Sequence, residues 1–274
     1  MALDWAAGGG TLKAGGKTLE WAGFGPAPGG DAPVIVMLHE GLGSLGLWRE
    51  FPQRVAHATG LPVFAWSRAG YGASDPAELP RPLDYMTREA TGPLGEVLDA
   101  IGAAHVILLG HSDGATIAAE YAGRIEDFRV RGLILMAPHF FAEESGLAEI
   151  ARAGEAFRTG DLRERMERHH RDPEATFRGW NDAWLDPGFR KWNVADVIDY
   201  LRIPVLVIRG RLDQYGTLAQ VREIEERCYS PVDVLLLDDC RHSPHLDRPD
   251  ETLAAVAEFA ERLQRIEAAQ PEHA

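Results

Sequence analysis

The sequence predicts an α/β fold, a mostly parallel central sheet flanked by helices, with an inserted helical cap. Three observations support this prediction. Short apolar runs with the length of buried strands alternate with longer helical patterns along the 274-residue chain. Several runs are apolar throughout, which is typical of parallel strands covered on both faces. The alternation stops between Pro138 and Ala195, where no strong strand pattern occurs.

The first predicted element is an antiparallel hairpin in the glycine-rich N-terminal region, with Thr11–Lys13 and Thr18–Trp21 on either side of a Gly-Gly turn. The strand-like runs that follow it are Val34–Leu38, Leu61–Trp66, Val106–Leu109, Leu133–Met136, Val205–Ile208 and Val234–Leu237. The helical patterns that alternate with them are Leu47–Thr59, Arg88–Ile101, Asp113–Ile125, Thr217–Arg227 and Pro249–Ala268.

Length and composition suit one large domain with an insertion. The residues are 45% hydrophobic and 26% charged, and the chain is long enough to bury a sizeable core. We therefore expect residues 1–137 and 196–274 to form the core of the domain. Residues 138–195 are rich in Arg, Glu and Trp, and we expect them to form a helical cap, or lid, over the strand ends.

The composition also limits the partners. The formal net charge of −14 disfavours nucleic acid and anionic membranes, and no apolar run approaches the length of a membrane span. Cys228 and Cys240 form no C-x-x-C pair, so neither a disulfide framework nor a zinc site is expected. The residues Met1–Trp5 lack the basic and apolar regions of a signal peptide. We expect a cytoplasmic monomer or homodimer that binds a small-molecule substrate.

The pentapeptide Gly110–Gly114 has the pattern G-x-S-x-G and lies between a strand-like run and a helical pattern. A serine on such a turn is a nucleophile elbow, because the sharp turn lifts the hydroxyl clear of the backbone. The following helix places its positive dipole end beneath the serine. Ser112 is therefore the candidate nucleophile.

A serine hydroxyl is a weak nucleophile at neutral pH and needs a general base, which in turn needs a carboxylate. In sheets of this type the acid and then the histidine follow the serine along the chain. Asp213 lies directly after the run Val205–Ile208 and is the candidate acid. Asp238 and Asp239, after the next run, are reserve candidates.

Two histidines follow the run Val234–Leu237, and both precede the last helical pattern. His242 and His245 are therefore rival candidates for the base. Their His-x-x-His spacing is not a persuasive metal site, because no further cluster of ligands accompanies it.

Acyl transfer also needs hydrogen-bond donors for the oxyanion. The N–H of Asp113, the residue after the nucleophile, is one candidate. The second is expected in the glycine-rich loop after the first buried run, where the backbone can approach substrate closely. We assign it to the N–H of Gly41, with the N–H of Glu40 as the alternative.

Five features in this order resemble the α/β-hydrolase superfamily, over nearly the whole chain. Ser67–Asp75, for example, is similar to the family's arginine-glycine-tyrosine-glycine turn. The other four features are Leu38–Gly41, the elbow Gly110–Gly114, the acid loop Gly210–Gly216 and the histidine loop His242–His245. The resemblance implies a serine hydrolase, because the haloalkane dehalogenase and epoxide hydrolase branches use aspartate at the elbow.

The resemblance also decides between the two histidines. In the family the catalytic histidine precedes Ser-Pro-His, which implies His242 here. The chain departs from the family at two positions. Arg241 replaces the glycine that usually precedes this histidine, and Glu40 stands where relatives usually carry glycine. A carboxylate beside an oxyanion hole would repel developing negative charge.

Aromatic residues of the predicted cap suggest an apolar substrate pocket. Trp180 and Trp184 are candidate pocket residues, together with Phe140 and Phe141 where the cap would begin, and Glu40. An alternative is that the tryptophans, with Trp192, form the small core of the cap. Asp113 has two interpretations as well: a carboxylate that binds a substrate ammonium group, or an aspartate favoured by the helix dipole.

The sequence thus predicts a serine hydrolase that cleaves a small carboxylic ester or thioester through an acyl-enzyme, with no cofactor and no metal. Two alternatives use the same three residues: a C–C bond hydrolase of ring-cleavage products and a cofactor-free perhydrolase. The non-enzymatic alternative is a small-molecule receptor on the same fold.

Overall fold

A computed structural model describes residues 3–269 and contains an eight-stranded sheet in the order β1-β2-β4-β3-β5-β6-β7-β8. The first two strands form a hairpin, β2 runs antiparallel to β4, and the remaining neighbours are parallel. The mostly parallel α/β fold is therefore confirmed. The strands are β1 Gly9–Ala14, β2 Lys17–Phe24, β3 Val34–Leu38, β4 Val63–Trp66, β5 Val106–His111, β6 Val130–Met136, β7 Val205–Gly210 and β8 Val232–Leu237.

Helices connect the parallel strands and cover both faces of the sheet. The α-helices are α1 Phe51–Thr59, α2 Tyr85–Thr91, α3 Pro93–Ile101, α4 Asp113–Arg124, α5 Glu144–Thr159, α6 Leu162–Glu167, α7 Pro173–Leu185, α8 Ala219–Arg227, α9 Pro244–Asp247 and α10 Pro249–Ala269. Short 3₁₀ helices occur at Trp5–Ala7, Leu45–Trp48, Pro187–Lys191 and Ala195–Tyr200.

Two predicted helices are divided in the structure. The pattern Leu47–Thr59 contains the end of a 3₁₀ helix and then α1, because Arg49 adopts a positive φ of 52° and interrupts the helix. The pattern Arg88–Ile101 contains the end of α2 and then α3. The break falls at Gly92 and Pro93, since proline disfavours helical backbone in the residue before it.

The core has two layers, one on each face of the sheet. Alternate residues of β3 belong to different layers: Val34, Val36 and Leu38 face one side, while Ile35 and Met37 face the other. All five are at most 1% exposed. This explains why the predicted strand is apolar throughout instead of alternating.

The strand order places the ends of several strands around one crevice. The chain passes from β3 to β4 on one side and then returns to β5 on the other side of β3. In open α/β sheets, ligands bind at the carboxyl ends of the strands where the order reverses in this way. The loops after β3 and β5 are therefore the first place to look for a site.

Helices α5 to α7 lie between β6 and β7 in the chain, within the predicted cap of residues 138–195. A β-bridge between Phe141 and Asn193 joins the two ends of this segment. The boundaries of the cap and of the two core segments stay predictions, and residues 1–2 and 270–274 of those segments lie outside the described residues. No helix within 3–269 is long and apolar enough to cross a membrane.

Candidate active site

Ser112 occupies a tight turn between β5 and α4. Its backbone has φ 52° and ψ −117°, and its N–H donates to the carbonyl of Met136 on β6 at 2.9 Å. The turn requires glycine on both sides. A Cβ on Gly110 would overlap the backbone of Gly114, and a Cβ on Gly114 would overlap the carbonyl of Leu38. The spacing of the two glycines is thus explained by crowding between β3, β5 and α4.

His242 and Asp213 meet across the loops that follow β8 and β7. The Nδ1 of His242 lies 2.8 Å from Oδ1 of Asp213, and the N–H of Tyr215 donates to the same oxygen at 2.9 Å. Burial would raise the pKa of Asp213, but His242 and Arg209 outweigh it and hold this pKa well below its usual value. Asp213 is therefore an anionic acceptor that fixes the orientation of the His242 ring.

Arg209 forms a buried ion pair with Asp213, and the sequence analysis did not identify it. Its Nη2 lies 2.9 Å from Oδ2 of Asp213, and both side chains are at most 1% exposed. Its Nη1 donates to the carbonyl of Pro138 at 2.9 Å. An arginine at the end of an otherwise apolar strand, four residues before Asp213, was the available signal, since a buried charge needs a partner.

Ser112 and His242 line one cavity of about 90 Å³ at the carboxyl ends of the strands. Of the four aromatic candidates for the substrate pocket, Trp180 and Trp184 line this cavity, whereas Phe140 and Phe141 are not part of its wall. Phe140 is fully buried in the core, and Phe141 forms the bridge to Asn193. The full lining is Glu40, Gly41, Leu42, Ser112, Asp113, His139, Ile150, Trp180, Trp184, Tyr215 and His242.

The two predicted oxyanion donors belong to residues on this same wall, Gly41 and Asp113. Asp113 is the first residue of α4, so its N–H has no partner within the helix. Within residues 3–269, no hydrogen bond from the Gly41 N–H is found. A Cβ on Gly41 would overlap the indole of Trp180. This contact explains why glycine is needed there.

The side chain of Asp113 turns away from solvent and is only 1% exposed. Its Oδ2 accepts a hydrogen bond from the Tyr85 hydroxyl, and the Tyr85 oxygen accepts one from Nε1 of Trp184 at 2.9 Å. Burial raises the pKa of Asp113 despite the nearby Arg68. These contacts tie α7 to the elbow, and they favour the second interpretation of Asp113, as a hydrogen-bonded residue of the helix N-terminus.

Glu40 lines the cavity, and its side chain faces the residue before the nucleophile. Its Oε2 lies 3.4 Å from Nδ1 of His111. Burial would raise the pKa of Glu40, but His111 outweighs it, with smaller effects from other nearby histidines, and lowers this pKa well below its usual value. Glu40 is therefore ionised beside Gly41, which is the arrangement that sequence analysis identified as unfavourable for an oxyanion.

The rival candidate for the base, His245, and the reserve candidates for the acid, Asp238 and Asp239, lie away from the cavity. His245 packs between Trp48 and Phe51, with ring centroids 5.0 and 5.4 Å away, and burial lowers its pKa to about 3. Asp238 is exposed and pairs with Arg211 at 2.8 Å. Asp239 is exposed in a turn with φ 50°. The structure places none of the three on the wall of the cavity.

His139 and Tyr215 also line the cavity and were not found from the sequence. Their rings lie 5.6 and 4.7 Å from the His242 ring. Burial, with Arg209 nearby, lowers the pKa of His139 well below its ordinary value, so this ring is neutral. His139 comes three positions and Tyr215 five positions beyond the end of a parallel strand, and this position was the signal that could have found them.

Within residues 3–269, no group of three or more His, Cys, Asp or Glu side chains is arranged to hold a metal ion. The polar atoms of the cavity are those of the residues described above. Their arrangement suits nucleophilic and general-base chemistry.

Known proteins share this architecture. The chain is 34% identical over 116 residues to the 1-acylglycerol-3-phosphate O-acyltransferase ABHD5 of Sus scrofa, a match covering 42% of this chain and 32% of that protein. The chain thus spans about a third of the length of the curated relatives it matches. Among solved structures it is similar to VinJ, with 25% identity, a TM-score of 0.69 and coverage of 93% of this chain and 98% of VinJ.

A thermophilic esterase from Thermogutta terrifontis shares the fold, with a TM-score of 0.72 at 15% identity, over 93% of this chain and 98% of the esterase. The family model described as "Alpha/beta hydrolase family" matches residues 35–256, from β3 into α10. The protein therefore belongs to the alpha/beta hydrolase family.

Proposed function

We propose that this protein is a serine hydrolase that cleaves a small carboxylic ester or thioester through a Ser112–His242–Asp213 triad. One observation carries the proposal. His242, which is 2.8 Å from Asp213, lines the same cavity as Ser112. Ser112 itself lies on a turn flanked by glycines. An oriented histidine that shares a cavity with a serine on such a turn is the arrangement that activates a hydroxyl nucleophile.

In the proposed first half-reaction, the free Nε2 of His242 takes the hydroxyl proton as Oγ of Ser112 attacks the substrate carbonyl. The N–H groups of Gly41 and Asp113 hold the oxyanion that forms. The tetrahedral intermediate then collapses, and the protonated His242 gives its proton to the leaving alcohol or thiol. Asp213 remains ionised and stabilises the imidazolium throughout.

In the proposed second half-reaction, a water molecule attacks the acyl group on Ser112. His242 takes a proton from this water, and the same two N–H groups hold the second oxyanion. Collapse releases the carboxylic acid and returns the proton to Ser112. Each oxyanion donor contributes about 3–4 kcal/mol in other hydrolases.

The charge of the wall supports a substrate without negative charge near the reacting carbonyl. Glu40 and Asp113 line the cavity, and among the residues of its wall within 3–269 there is no Lys or Arg. Ring-cleavage dienoates carry carboxylates, and an acylglycerol phosphate carries a phosphate. Both groups need a cationic partner, so the wall favours a neutral ester over the C–C hydrolase alternative and over the acyltransferase reaction named for ABHD5.

The first experiment is to treat the protein with a fluorophosphonate and locate the adduct by mass spectrometry. We expect one adduct, on Ser112, that is absent in Ser112→Ala and strongly slowed in His242→Ala. Two exposed residues supply matched controls, since Ser145→Ala and His57→Ala should label like the wild type. A panel of p-nitrophenyl esters of increasing chain length then defines the acyl group.

Each alternative has its own outcome in this design. Labelling of Ser112 together with cleavage of a ring-cleavage dienoate, but of no ester, would replace the proposal with the C–C hydrolase. Peroxide-dependent halogenation with no ester turnover would favour the perhydrolase. Absence of any adduct on Ser112 would overturn the triad and favour the receptor.

A further inference from the structure

Glu40 and His111 form a pair that the proposed triad does not use. Glu40 follows β3 and lies beside Gly41, and its carboxylate folds back over Gly43, where a Cβ would overlap Oε2. Its side chain is 27% exposed and lines the cavity. The carboxylate therefore lies against Gly43, on the loop that carries the proposed oxyanion donor Gly41.

His111 lies between two hydrogen-bond acceptors. It is the last residue of β5 and is 1% exposed. Its Nε2 lies 2.7 Å from the backbone carbonyl oxygen of His242. Because a carbonyl can only accept, Nε2 carries a hydrogen. Its Nδ1 faces Oε2 of Glu40 at 3.4 Å. The contact with Glu40 has the distance of an ion pair, and an acceptor on each side of the ring favours a hydrogen on both nitrogens, which makes the ring an imidazolium.

The groups around His111 favour this charge on balance. Burial lowers the pKa of His111, but Glu40, the His242 carbonyl and Asp213 raise it above the ordinary value. His245 faces it from α9 and His242 faces it from the loop after β8, each with its ring centroid 5.1 Å away, and His139 lies next to His242. Burial keeps His245 and His139 neutral, because each has a lowered pKa. Glu40 is the nearest formal charge to the ring.

We propose that His111 is a positioning residue that acts as a buried cation. Through Nε2 it holds the main chain of His242, and through Nδ1 it neutralises Glu40 next to the oxyanion site. The proposal rests on the function proposed above. It explains how this chain carries a carboxylate where a developing negative charge must be stabilised.

The proposal predicts a specific pH effect. When rising pH removes the Nδ1 proton, the Nε2–H bond to His242 persists, but Glu40 loses its counter-charge. The transition state then forms beside an uncompensated carboxylate. Turnover should therefore decline over the pH range in which His111 loses its proton, with little change in KM, because the repulsion acts on the oxyanion more than on the neutral substrate.

The kinetic test uses His111→Gln, Glu40→Gln and the double variant. Glutamine at 111 keeps a donor for the His242 carbonyl but has no charge, so kcat should fall about tenfold at neutral pH with KM within about twofold. In the double variant, kcat should recover at least threefold relative to His111→Gln. In Glu40→Gln the alkaline decline should disappear. His57 and Glu50 are exposed, and the control variants His57→Gln and Glu50→Gln should show none of these effects.

An NMR titration of histidine-labelled protein provides a readout independent of activity. The His111 ring, assigned by its loss in His111→Gln, should titrate above the ordinary histidine value, and this pKa should fall in Glu40→Gln. Unchanged titration in Glu40→Gln, or additive kinetic effects in the double variant, would overturn the proposal.

The two proposals can fail separately. If Ser112 takes no fluorophosphonate, the serine hydrolase proposal fails, while the titration still decides whether His111 is a buried cation. If Ser112 is labelled but His111 titrates at or below the ordinary value, the positioning role fails and the hydrolase proposal stands.

Discussion

Asp213 shows what single residues contribute at the strand ends. Its Oδ1 accepts from His242 and Tyr215, and its Oδ2 lies at ion-pair distance from Arg209. Sequence analysis could nominate Asp213, because order along the chain and position after a strand were sufficient. Arg209 offered only the weaker signal of a charge at the end of an apolar strand. His111 offered none, because its role comes from contacts with Glu40 and His242, which are distant in sequence.

Asp213→Asn should lower kcat by roughly 10⁴-fold if Asp213 is the triad acid, because an amide favours the wrong tautomer of His242. The measurement is steady-state hydrolysis of the best ester, with circular dichroism to confirm folding. Asp238→Asn, an exposed aspartate after the next strand, is the matched control and should keep wild-type turnover. Equal loss in both variants would contradict the assignment of the acid.

At the scale of elements, β3, β5 and α4 approach so closely that glycine is the only residue that fits at two positions of the elbow. The sequence predicted these elements well, because continuous apolar runs and amphipathic patterns are local signals. The sequence-based prediction of helices was wrong where a predicted helix is divided in the structure. The Gly92–Pro93 break and the positive φ of Arg49 depend on single residues inside an otherwise periodic pattern.

Gly114→Ala should destabilise the fold by about 1–3 kcal/mol, because its Cβ would overlap the Leu38 carbonyl and force α4 away from β3. Urea denaturation measures the free energy of unfolding. Gly29→Ala is the control, since its Cβ would meet nothing within 4 Å, and it should change stability by less than about 0.5 kcal/mol. A neutral Gly114→Ala would contradict the close packing described here.

Helix α7 should set the size of the acyl group, because it contributes Trp180 and Trp184 to the cavity wall. Trp180→Ala should move the preferred ester to a longer chain and raise KM for the shortest ester about tenfold. The ester panel measures both quantities. Leu185→Ala, an exposed position on the same helix, should leave the preference unchanged. The same preferred ester in Trp180→Ala and Leu185→Ala would contradict the assignment of Trp180 to the substrate pocket.

The whole molecule buries several neutral histidines, and these link its stability to pH. His39, His139, His170 and His245 have lowered pKa values because burial disfavours their charged forms. Each binds a proton on unfolding below about pH 6.5, which favours the unfolded state as the pH falls. His111 has the opposite sign: its contribution is complete at low pH and is lost as the pH rises through its raised folded pKa.

His245→Phe should reduce the loss of stability between pH 7 and 5. With a folded pKa of about 3, His245 alone accounts for about 2 kcal/mol of the loss at pH 5. Phenylalanine can pack between Trp48 and Phe51 without binding a proton. Urea denaturation at both pH values gives the difference, and the exposed His57→Phe should not change it. The same pH dependence in wild type and His245→Phe would contradict a neutral, buried His245.

The backbone of Ser112, with φ 52° and ψ −117°, has a consequence for the evolution of this protein. Such a conformation costs a residue with a side chain about 1–3 kcal/mol of backbone strain, whereas glycine adopts it without strain. Glycine loses more chain entropy on folding, but this loss cancels only part of the strain energy that it avoids. Ser112→Gly should therefore be inactive and yet about 1 kcal/mol more stable than the wild type. Selection for stability alone would favour glycine at this turn, so a serine here is what we expect if its hydroxyl is the proposed nucleophile.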